Sequence, residues 1–180
     1  MQGVLDSPAR PAAFAPFGGG VFGELLARSI AASPRTLMLM SLPAGFFWLA
    51  YFSWSGLWIA VSVGALGLLR QVAGIALPDR AMQITSLLAL TGLGVLAAGL
   101  GWVMMLPVLA AAWKTLAVWL RDRSISFRCA LIGAEISYLV FGSLVGAQLL
   151  VMASLGLILI NLSAIRALGA FPSTRRQGAA

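Results

Sequence analysis

The longest apolar run of the chain, residues 129–165, is CALIGAEISYLVFGSLVGAQLLVMASLGLILINLSAI, and Glu135 is its only charged residue. Two further runs, residues 36–69 and 81–113, carry no charged residue at all. The whole chain of 180 residues is 61% hydrophobic and 9% charged, with a mean hydropathy of +0.98. Because soluble domains carry roughly a quarter of charged residues, these values predict an integral membrane protein built only of α-helices.

The lengths of the three runs decide how many times the chain crosses the membrane. A straight helix over residues 36–69 would be roughly 51 Å long, whereas the hydrocarbon core is about 30 Å thick. Single spans would divide the basic residues seven against five between the two sides, whereas hairpins would place all twelve on one side. Because basic residues concentrate on the cytoplasmic side, we favour six short spans arranged as three hairpins, with four or five spans as alternatives.

Each run contains a segment suited to a hairpin turn. The first is FSWSG at 52–56, which is small and polar within a group of aromatic residues typical of the membrane interface. The second is the glycine-rich GLGW at 99–102, and the third is FGSLVGAQ at 141–148. We therefore expect the chain to reverse its direction at these three segments.

The chain divides into four parts by composition. Residues 1–20, rich in Pro, Ala and Gly, predict a flexible N-terminal arm, and residues 167–180 predict a basic C-terminal tail. The transmembrane helical domain is expected over residues 35–166. Residues 21–34 predict an amphipathic helix that lies at the membrane interface, although an ordinary cytosolic lead-in helix fits equally well.

Two local signals belong to this amphipathic helix and to the helix that follows it. Glu24 and Arg28 are four residues apart, so that they are expected to form an ion pair on one helix face. Ser33 followed by Pro34 is typical of an N-cap and of the first position of a new helix.

Glu135 is the candidate intramembrane polar site, because an ionisable residue in an apolar span is costly unless it has a partner or a function. Counting from Arg128 places Glu135 roughly 10 Å inside the membrane, at a level similar to that of Asn161. Asn161 and Tyr138 are therefore expected to donate hydrogen bonds to the Glu135 carboxyl. Three interpretations stay open: a proton- or cation-linked carboxylate, a protonated carboxyl that ties helices together, and a carboxylate that reaches the headgroups. The two structural interpretations are favoured.

The segment GSLVG at 142–146 has the Gly-xxx-Gly spacing that brings membrane helices into close contact. Gly142 and Gly146 are therefore candidate helix-packing residues. The same segment is also expected to be a turn, and the two interpretations conflict. A helix that continued through residues 142–146 would make the third run one long helix.

The residue types that are missing exclude several kinds of chemistry. The chain has no histidine and a single cysteine, Cys129, so that an internal disulfide and histidine-based acid–base catalysis are excluded. No metal site is expected, since the methionines fit packing better than they fit a soft-metal site. We therefore expect no catalytic residue, no cofactor and no enzymatic activity.

The net charge of +7 comes mainly from basic residues in short segments between the apolar runs. This pattern favours contact with anionic lipid headgroups, and no nucleic-acid partner is expected. Eleven of the twelve basic residues are arginine, and alanine and glycine are abundant, as in proteins encoded by GC-rich bacterial genomes. We therefore expect a bacterial inner-membrane protein with both termini in the cytoplasm.

The stretch from Trp119 to Gly169 contains WLRDRSISFRCALIGAEISYLVF, a glycine-interrupted apolar segment, and LGLILINLSAIRALG. This outline resembles the second half of Yip-type membrane proteins, in which a short basic loop with a Ser-Phe pair precedes an Ala-rich helix pair. The resemblance implies a compact five-helix bundle with a cytoplasmic N-terminus and an accessory, trafficking or assembly role without catalysis. It covers under a third of the chain, and no functional residue carries over from it.

The function expected from the sequence is that of a small non-catalytic membrane protein. Such a protein acts through contacts with other membrane proteins, with lipids or with a second copy of itself. The alternative is a transporter or channel component that uses the intramembrane Glu135. The two hypotheses differ in the effect of Glu135→Gln, which abolishes the activity of a transporter but leaves a passive structural carboxyl without consequence.

Overall fold

A computed structural model describes residues 14–31, 33–76 and 79–170 of the protein. The regular structure in these ranges is helical, which confirms the expected all-α membrane bundle. The helices are α1 (Phe14–Ile30), α2 (Pro34–Trp54), α3 (Trp58–Ala76), α4 (Asp79–Leu100), α5 (Met105–Trp119), α6 (Ser124–Val145) and α7 (Gln148–Ala170). The first 13 residues of the expected arm and residues 171–180 of the expected tail lie outside the described residues.

Several of the described helices have the length and composition of membrane spans. Trp58–Ala73 and Ile84–Leu100 are apolar helices on the short side. Four stretches are long and apolar enough to cross a membrane: Thr36–Trp54, Trp102–Trp119, Ser124–Val145 and Gln148–Gly169. By these criteria the chain is an integral membrane protein with several spans.

The three predicted hairpins are confirmed, and each reverses at a glycine. Gly56 lies between α2 and α3 with φ of 70°, and Gly146 lies between α6 and α7 with φ of 74°. Gly101, with φ of 107°, separates α4 from the short 3-10 turn that leads into α5. Glycine adopts positive φ without the steric cost that a side chain brings, so that these positions can end the long apolar helices.

The three turns meet at one end of the bundle, which we call the turn end. Leu57, Met104 and Ala147, one from each turn region, pack on one buried cluster that includes Phe141. The opposite end, which we call the basic end, holds the α1–α2, α3–α4 and α5–α6 connections and the end of α7. Most basic residues of the sequence lie in or near these connections, as the hairpin prediction requires.

Helix α1 runs antiparallel to α2 from one end of the bundle towards the other. Near the turn end, Phe17 packs on Tyr51 with ring centroids 5.5 Å apart. Near the basic end, Ala27 and Leu37 share a buried cluster. Residues 14–20, which were expected in the flexible arm, are the first turns of α1. The expectation of two cytoplasmic termini is not supported, because α1 begins at the turn end and α7 ends at the basic end.

The boundary between α1 and α2 follows the sequence signal. Ser33 is the N-cap of α2, and its hydroxyl accepts a hydrogen bond from the Thr36 amide at 3.2 Å. Pro34 occupies the first helical position, where its missing amide hydrogen costs nothing. The predicted cap is therefore confirmed.

The chain contains a structural repeat of three helices, in which equivalent residues lie 90 positions apart, as Gly56 and Gly146 do. Helices α1, α2 and α3 correspond to α5, α6 and α7, and α4 lies between the two repeats. In each repeat the amide after the turn glycine donates to a carbonyl in the last helical turn before it. These bonds are Leu57 N to Phe52 O at 3.0 Å and Ala147 N to Gly142 O at 2.8 Å.

The two repeats are related by an approximate two-fold axis. Helix α1 contacts α7, and helix α3 contacts α5. Because α1 corresponds to α5 and α3 corresponds to α7, these two contacts are equivalent. Equivalent residues also share one buried cluster, which contains both Ala27 and Ala117, and both Leu37 and Phe127. A cluster that is shared by equivalent residues of both repeats lies close to the axis.

The axis runs along the helices, so that the repeats are parallel. Val63 of α3 clusters with Val108 of α5, and further along both helices Arg70 bonds Ala111 and Thr115. Helices α3 and α5 therefore run in the same direction. Because α2 reverses the chain between α1 and α3, α1 also points the same way as α5. Helix α4 returns the chain from the basic end to the turn end.

Candidate functional site

A cavity of about 110 Å³ lies between the two repeats. Among the described residues, five charged side chains line it, although the surrounding helices are apolar. All six helices of the two repeats contribute, for example Glu24 and Arg28 from α1, Trp48 from α2, Arg70 from α3, Lys114 from α5, Glu135 from α6 and Ser154 from α7. Ionisable residues within membrane bundles mark binding sites and transport pathways, which makes this cavity the candidate functional site.

Glu135 lies in the wall of this cavity and is only 2% exposed. Arg28 Nη2 donates to Glu135 Oε1 at 2.8 Å, and Arg28 Nε donates to Glu24 Oε2 at 3.0 Å. The second contact is the ion pair predicted from the four-residue spacing, which is confirmed. One guanidinium therefore joins a carboxylate of its own helix to a carboxylate of α6, through charge-assisted hydrogen bonds.

Asn161 does not bind Glu135, contrary to the sequence-based expectation. Its amide nitrogen donates to the Leu157 carbonyl at 2.9 Å, and its Oδ1 accepts a hydrogen bond from Arg128 at 3.2 Å. The donor to Glu135 is Arg28, which lies 107 residues away in the sequence. The expectation was wrong because it considered only the α6–α7 hairpin and not the packing of α1 against the same site.

Tyr138 lines the same cavity but pairs with a different residue. The Lys114 ammonium lies 5.1 Å from the centroid of the Tyr138 ring, which is a cation–π geometry. Within the described part of the chain, Tyr138 makes no hydrogen bond to Glu135. The interpretation of Glu135 as a carboxylate that reaches the headgroups is also wrong, because the residue is buried against Arg28.

Gly142 and Gly146 have different roles. A Cβ atom at Gly142 would lie 3.1 Å from Val151 Cγ2, so that α7 approaches α6 closely at this point. Gly146 takes a left-handed conformation and caps the C-terminus of α6. The prediction that both glycines form one helix-packing face is therefore wrong for Gly146, because α6 ends before it.

Arg70 is a second buried guanidinium of the cavity, although its place in the sequence predicts a residue of a basic connection. Its Nη1 donates to the Ala111 carbonyl at 2.8 Å and to Thr115 Oγ1 at 2.6 Å. Its Nε is buried and has no hydrogen-bond partner among the described residues. The apolar run ends at Leu69, and Arg70 was therefore assigned to a basic loop. The apolar residues of QVAGIA, which extend α3 to Ala76, were the available signal.

Lys114 projects from the same turn of α5 that receives Arg70. It is half-buried and lines the cavity. Among the residues whose side chains the structure describes, no carboxylate lies within ion-pair distance of Arg70 or Lys114, whereas Arg28 has two. With Glu24 and Glu135 as the two anions, the described lining has three cations and therefore one positive charge in excess.

Comparison with family models, with curated proteins and with solved structures finds no match to this chain. The assignment of a function therefore depends on the geometry of the cavity and of the two repeats.

Proposed function

We propose that the protein is a membrane carrier that moves a small charged solute through the cavity between its two repeats. The observation that carries this proposal is the position of the charged cavity, which lies between two parallel three-helix repeats and is lined by all six of their helices. Secondary transporters bind their substrates at the interface between such repeats, and one repeat moves against the other to expose the site to each side in turn.

The charged residues of the cavity support a solute-binding role over a purely structural one. A buried ion pair contributes little net stability compared with well-packed apolar residues. The second repeat has the uncharged Val118 at the position of Arg28 in the first repeat. The first repeat has Gly45 at the position of Glu135 in the second repeat. Since this scaffold packs without charges at the equivalent positions, the charges are better explained by a ligand than by folding. Transport through such a site needs no catalytic step, so the proposal includes no enzymatic activity.

The accessory role expected from the sequence, and implied by the resemblance to Yip-type proteins, stays a prediction. It involves contacts of the outer surface with lipids or other membrane proteins and assigns no task to the cavity. The location in a bacterial inner membrane and the contact of basic segments with anionic headgroups also stay predictions. The two functional hypotheses differ in whether water and solutes enter the cavity from both sides of the membrane.

Cysteine labelling tests this difference directly. In a Cys129→Ala background, Ser154→Cys places a thiol in the cavity, because Ser154 is 1% exposed and lines it. Met152→Cys is the matched control on the same helix, since Met152 is 68% exposed on the outer surface of the bundle. A small membrane-impermeant methanethiosulfonate reagent is added to right-side-out and to inside-out vesicles, and the rate of labelling is measured for each variant.

A carrier predicts that Ser154→Cys reacts from both sides, because the site opens to each side in turn. Met152→Cys stays unlabelled, because a thiol that faces hydrocarbon does not form the reactive thiolate. Labelling of Ser154→Cys from one side only, or from neither side, contradicts the carrier and favours the accessory role. Two exposed residues at opposite ends of the bundle check that the reagent reaches the protein: Ser53→Cys should label in one preparation and Ser33→Cys in the other.

A further inference from the structure

The chemistry of the cavity indicates the class of solute, if the protein is the carrier proposed above. Arg28 already has two carboxylate partners, Glu24 and Glu135. Arg70 and Lys114 have none among the residues whose side chains the structure describes, and both line the cavity. A buried cation without an anion is costly, so that an anionic ligand would stabilise this arrangement.

Arg70 is held in place for such a ligand. Its Nη1 bonds to Ala111 and Thr115 fix the guanidinium against α5, on the turn that carries Lys114. The buried Arg70 Nε and Arg28 Nη1 both lack a hydrogen-bond partner among the described residues, but the Arg28 guanidinium is already paired with two carboxylates. A guanidinium edge with free N–H groups binds a planar carboxylate through two parallel hydrogen bonds, and an adjacent ammonium adds a second attraction.

The charge of the lining favours a ligand with one negative charge. Three cations face two carboxylates in the described lining, so that one monoanion neutralises the cavity. A dianion would leave a net negative charge in a medium of low dielectric constant, where uncompensated charge is strongly unfavourable. Inorganic phosphate is a mixture of monoanion and dianion near neutral pH, and only its monoanion matches this charge, whereas a monocarboxylate is a monoanion throughout.

The rest of the cavity wall is apolar and favours an organic body on the anion. Val63, Leu131 and Leu157 line the cavity together with the rings of Trp48 and Phe52. The volume of about 110 Å³ is several times the roughly 10–15 Å³ that one water needs, yet far below the roughly 300 Å³ of pockets for drug-sized ligands. The ligand is therefore small.

From these observations we infer that the cavity binds a small organic monocarboxylate, with its carboxylate between Arg70 and Lys114 and its apolar body against the aliphatic and aromatic wall. This inference depends on the proposed carrier function for its biological meaning. The binding itself is measured separately, so that the substrate class and the carrier function can fail independently.

Binding is measured on the purified full-length protein in detergent by thermal unfolding. The probes are sodium propionate, sodium benzoate, sodium phosphate and tetramethylammonium chloride at matched ionic strength, with sodium chloride as the reference. A ligand that binds only the folded protein raises the melting temperature as its concentration increases. We expect propionate or benzoate to raise it in a saturable manner and the other probes to have no specific effect.

The variant Arg70→Gln removes the unpaired guanidinium, and Arg166→Gln is its matched control, because Arg166 is exposed on α7 and lies outside the cavity. We expect Arg70→Gln to weaken the apparent affinity for the carboxylate by about tenfold or more, since it removes a buried charge next to the ligand, and Arg166→Gln to leave it unchanged. If Arg70→Gln does not fold, the half-buried Lys114→Gln replaces it, with the same expected direction.

Each remaining outcome overturns the inference. Saturable stabilisation by phosphate or by tetramethylammonium, without stabilisation by a carboxylate, assigns the cavity to another class of ligand. Equal affinities in Arg70→Gln and Arg166→Gln, or no response to any carboxylate, exclude this carboxylate site. If Ser154→Cys still labels from both sides of the membrane in that case, the carrier function stands and only the substrate class fails.

Discussion

The first repeat (α1–α3) and the second repeat (α5–α7) have the same backbone plan but different charges. Their turn glycines, Gly56 and Gly146, have nearly the same φ, and helix contacts between the repeats occur in equivalent pairs. The charges of the cavity do not follow this equivalence, because no charged residue of the described lining has an equivalent residue of the same charge. Position by position, Arg28 corresponds to Val118, Arg70 to Ile160, Glu135 to Gly45, and Glu24 to Lys114.

This difference distinguishes the residues that folding requires from the residues that form the cavity site. The scaffold tolerates valine, isoleucine and glycine at the positions where its other half carries charges. The charges therefore define a single asymmetric site on an approximately symmetric framework. Substitutions at equivalent positions of the two repeats test this distinction.

The largest effect is expected for Arg28→Val, which copies Val118 of the second repeat. It leaves Glu24 and Glu135 buried without their cation, and the loss of one partner of a buried pair costs about 3–5 kcal/mol. The free energy of unfolding, measured in mixed micelles with increasing SDS, should fall by this amount. Arg166→Val, at an exposed arginine, should change it by less than about 0.5 kcal/mol.

If the unpaired carboxylates of Glu24 and Glu135 cause the instability of Arg28→Val, removing their charges should restore stability. Adding Glu24→Gln and Glu135→Gln to Arg28→Val removes the unpaired carboxylates, and at least half of the lost stability should return. A triple variant as unstable as Arg28→Val would mean that the guanidinium stabilises the fold through packing, and the separation of scaffold from site would fail at this position.

An intermediate and equal effect is expected at the two turns. Gly56→Ala and Gly146→Ala each force an alanine into a left-handed conformation, at a cost of about 1–2 kcal/mol. Gly18→Ala in α1 is the control, because a Cβ there meets no atom within 4 Å and alanine favours a helix. Costs at Gly56 and Gly146 that differ by more than about 1 kcal/mol would argue against equivalent turns. The readout is again SDS unfolding.

The smallest effect is expected at the equivalent polar residues Gln71 and Asn161. Gln71 Nε2 donates to Ser41 Oγ at 2.8 Å in a half-buried position, whereas Asn161 is fully buried and bonds Arg128 and Leu157. A lost hydrogen bond costs about 1 kcal/mol, and more when a buried partner stays unpaired. Asn161→Leu should therefore destabilise the protein more than Gln71→Leu. The reverse order would contradict the assigned partners.

Much of the fold followed from local sequence signals. The apolar runs, the glycines at 56, 101 and 146, and the Ser33-Pro34 cap each act over a few residues, and the structure has a turn or a helix start at each of them. The repeat was not identified, because equivalent positions share little beyond small or apolar character, as Leu37 and Phe127 do. Helix packing conserves size and polarity at a position rather than residue identity.

The site was only partly predictable, for a different reason. Glu135 was recognisable because it interrupts an apolar run, and its place in a cavity wall agrees with that signal. Its partner Arg28 and the cation Arg70 come from helices distant in sequence, and both were assigned to basic segments at a membrane surface. The distribution of charge along the sequence predicts that an arginine lies near a helix end. Whether its side chain points inwards depends on the packing of α1 and α3 against α5 and α6.

The parallel arrangement of the two repeats is the central claim, and cysteine topology at matched pairs tests it most directly. Ser53 and Ser143 are equivalent exposed residues at the turn end, and Ser33 and Arg123 are equivalent exposed residues at the basic end. Each is replaced singly by cysteine in the Cys129→Ala background, and intact cells are labelled with a membrane-impermeant thiol reagent. Parallel repeats predict labelling of Ser53→Cys and Ser143→Cys from outside, with Ser33→Cys and Arg123→Cys labelled only after permeabilisation. Labelling of the two members of a matched pair from opposite faces would contradict the account.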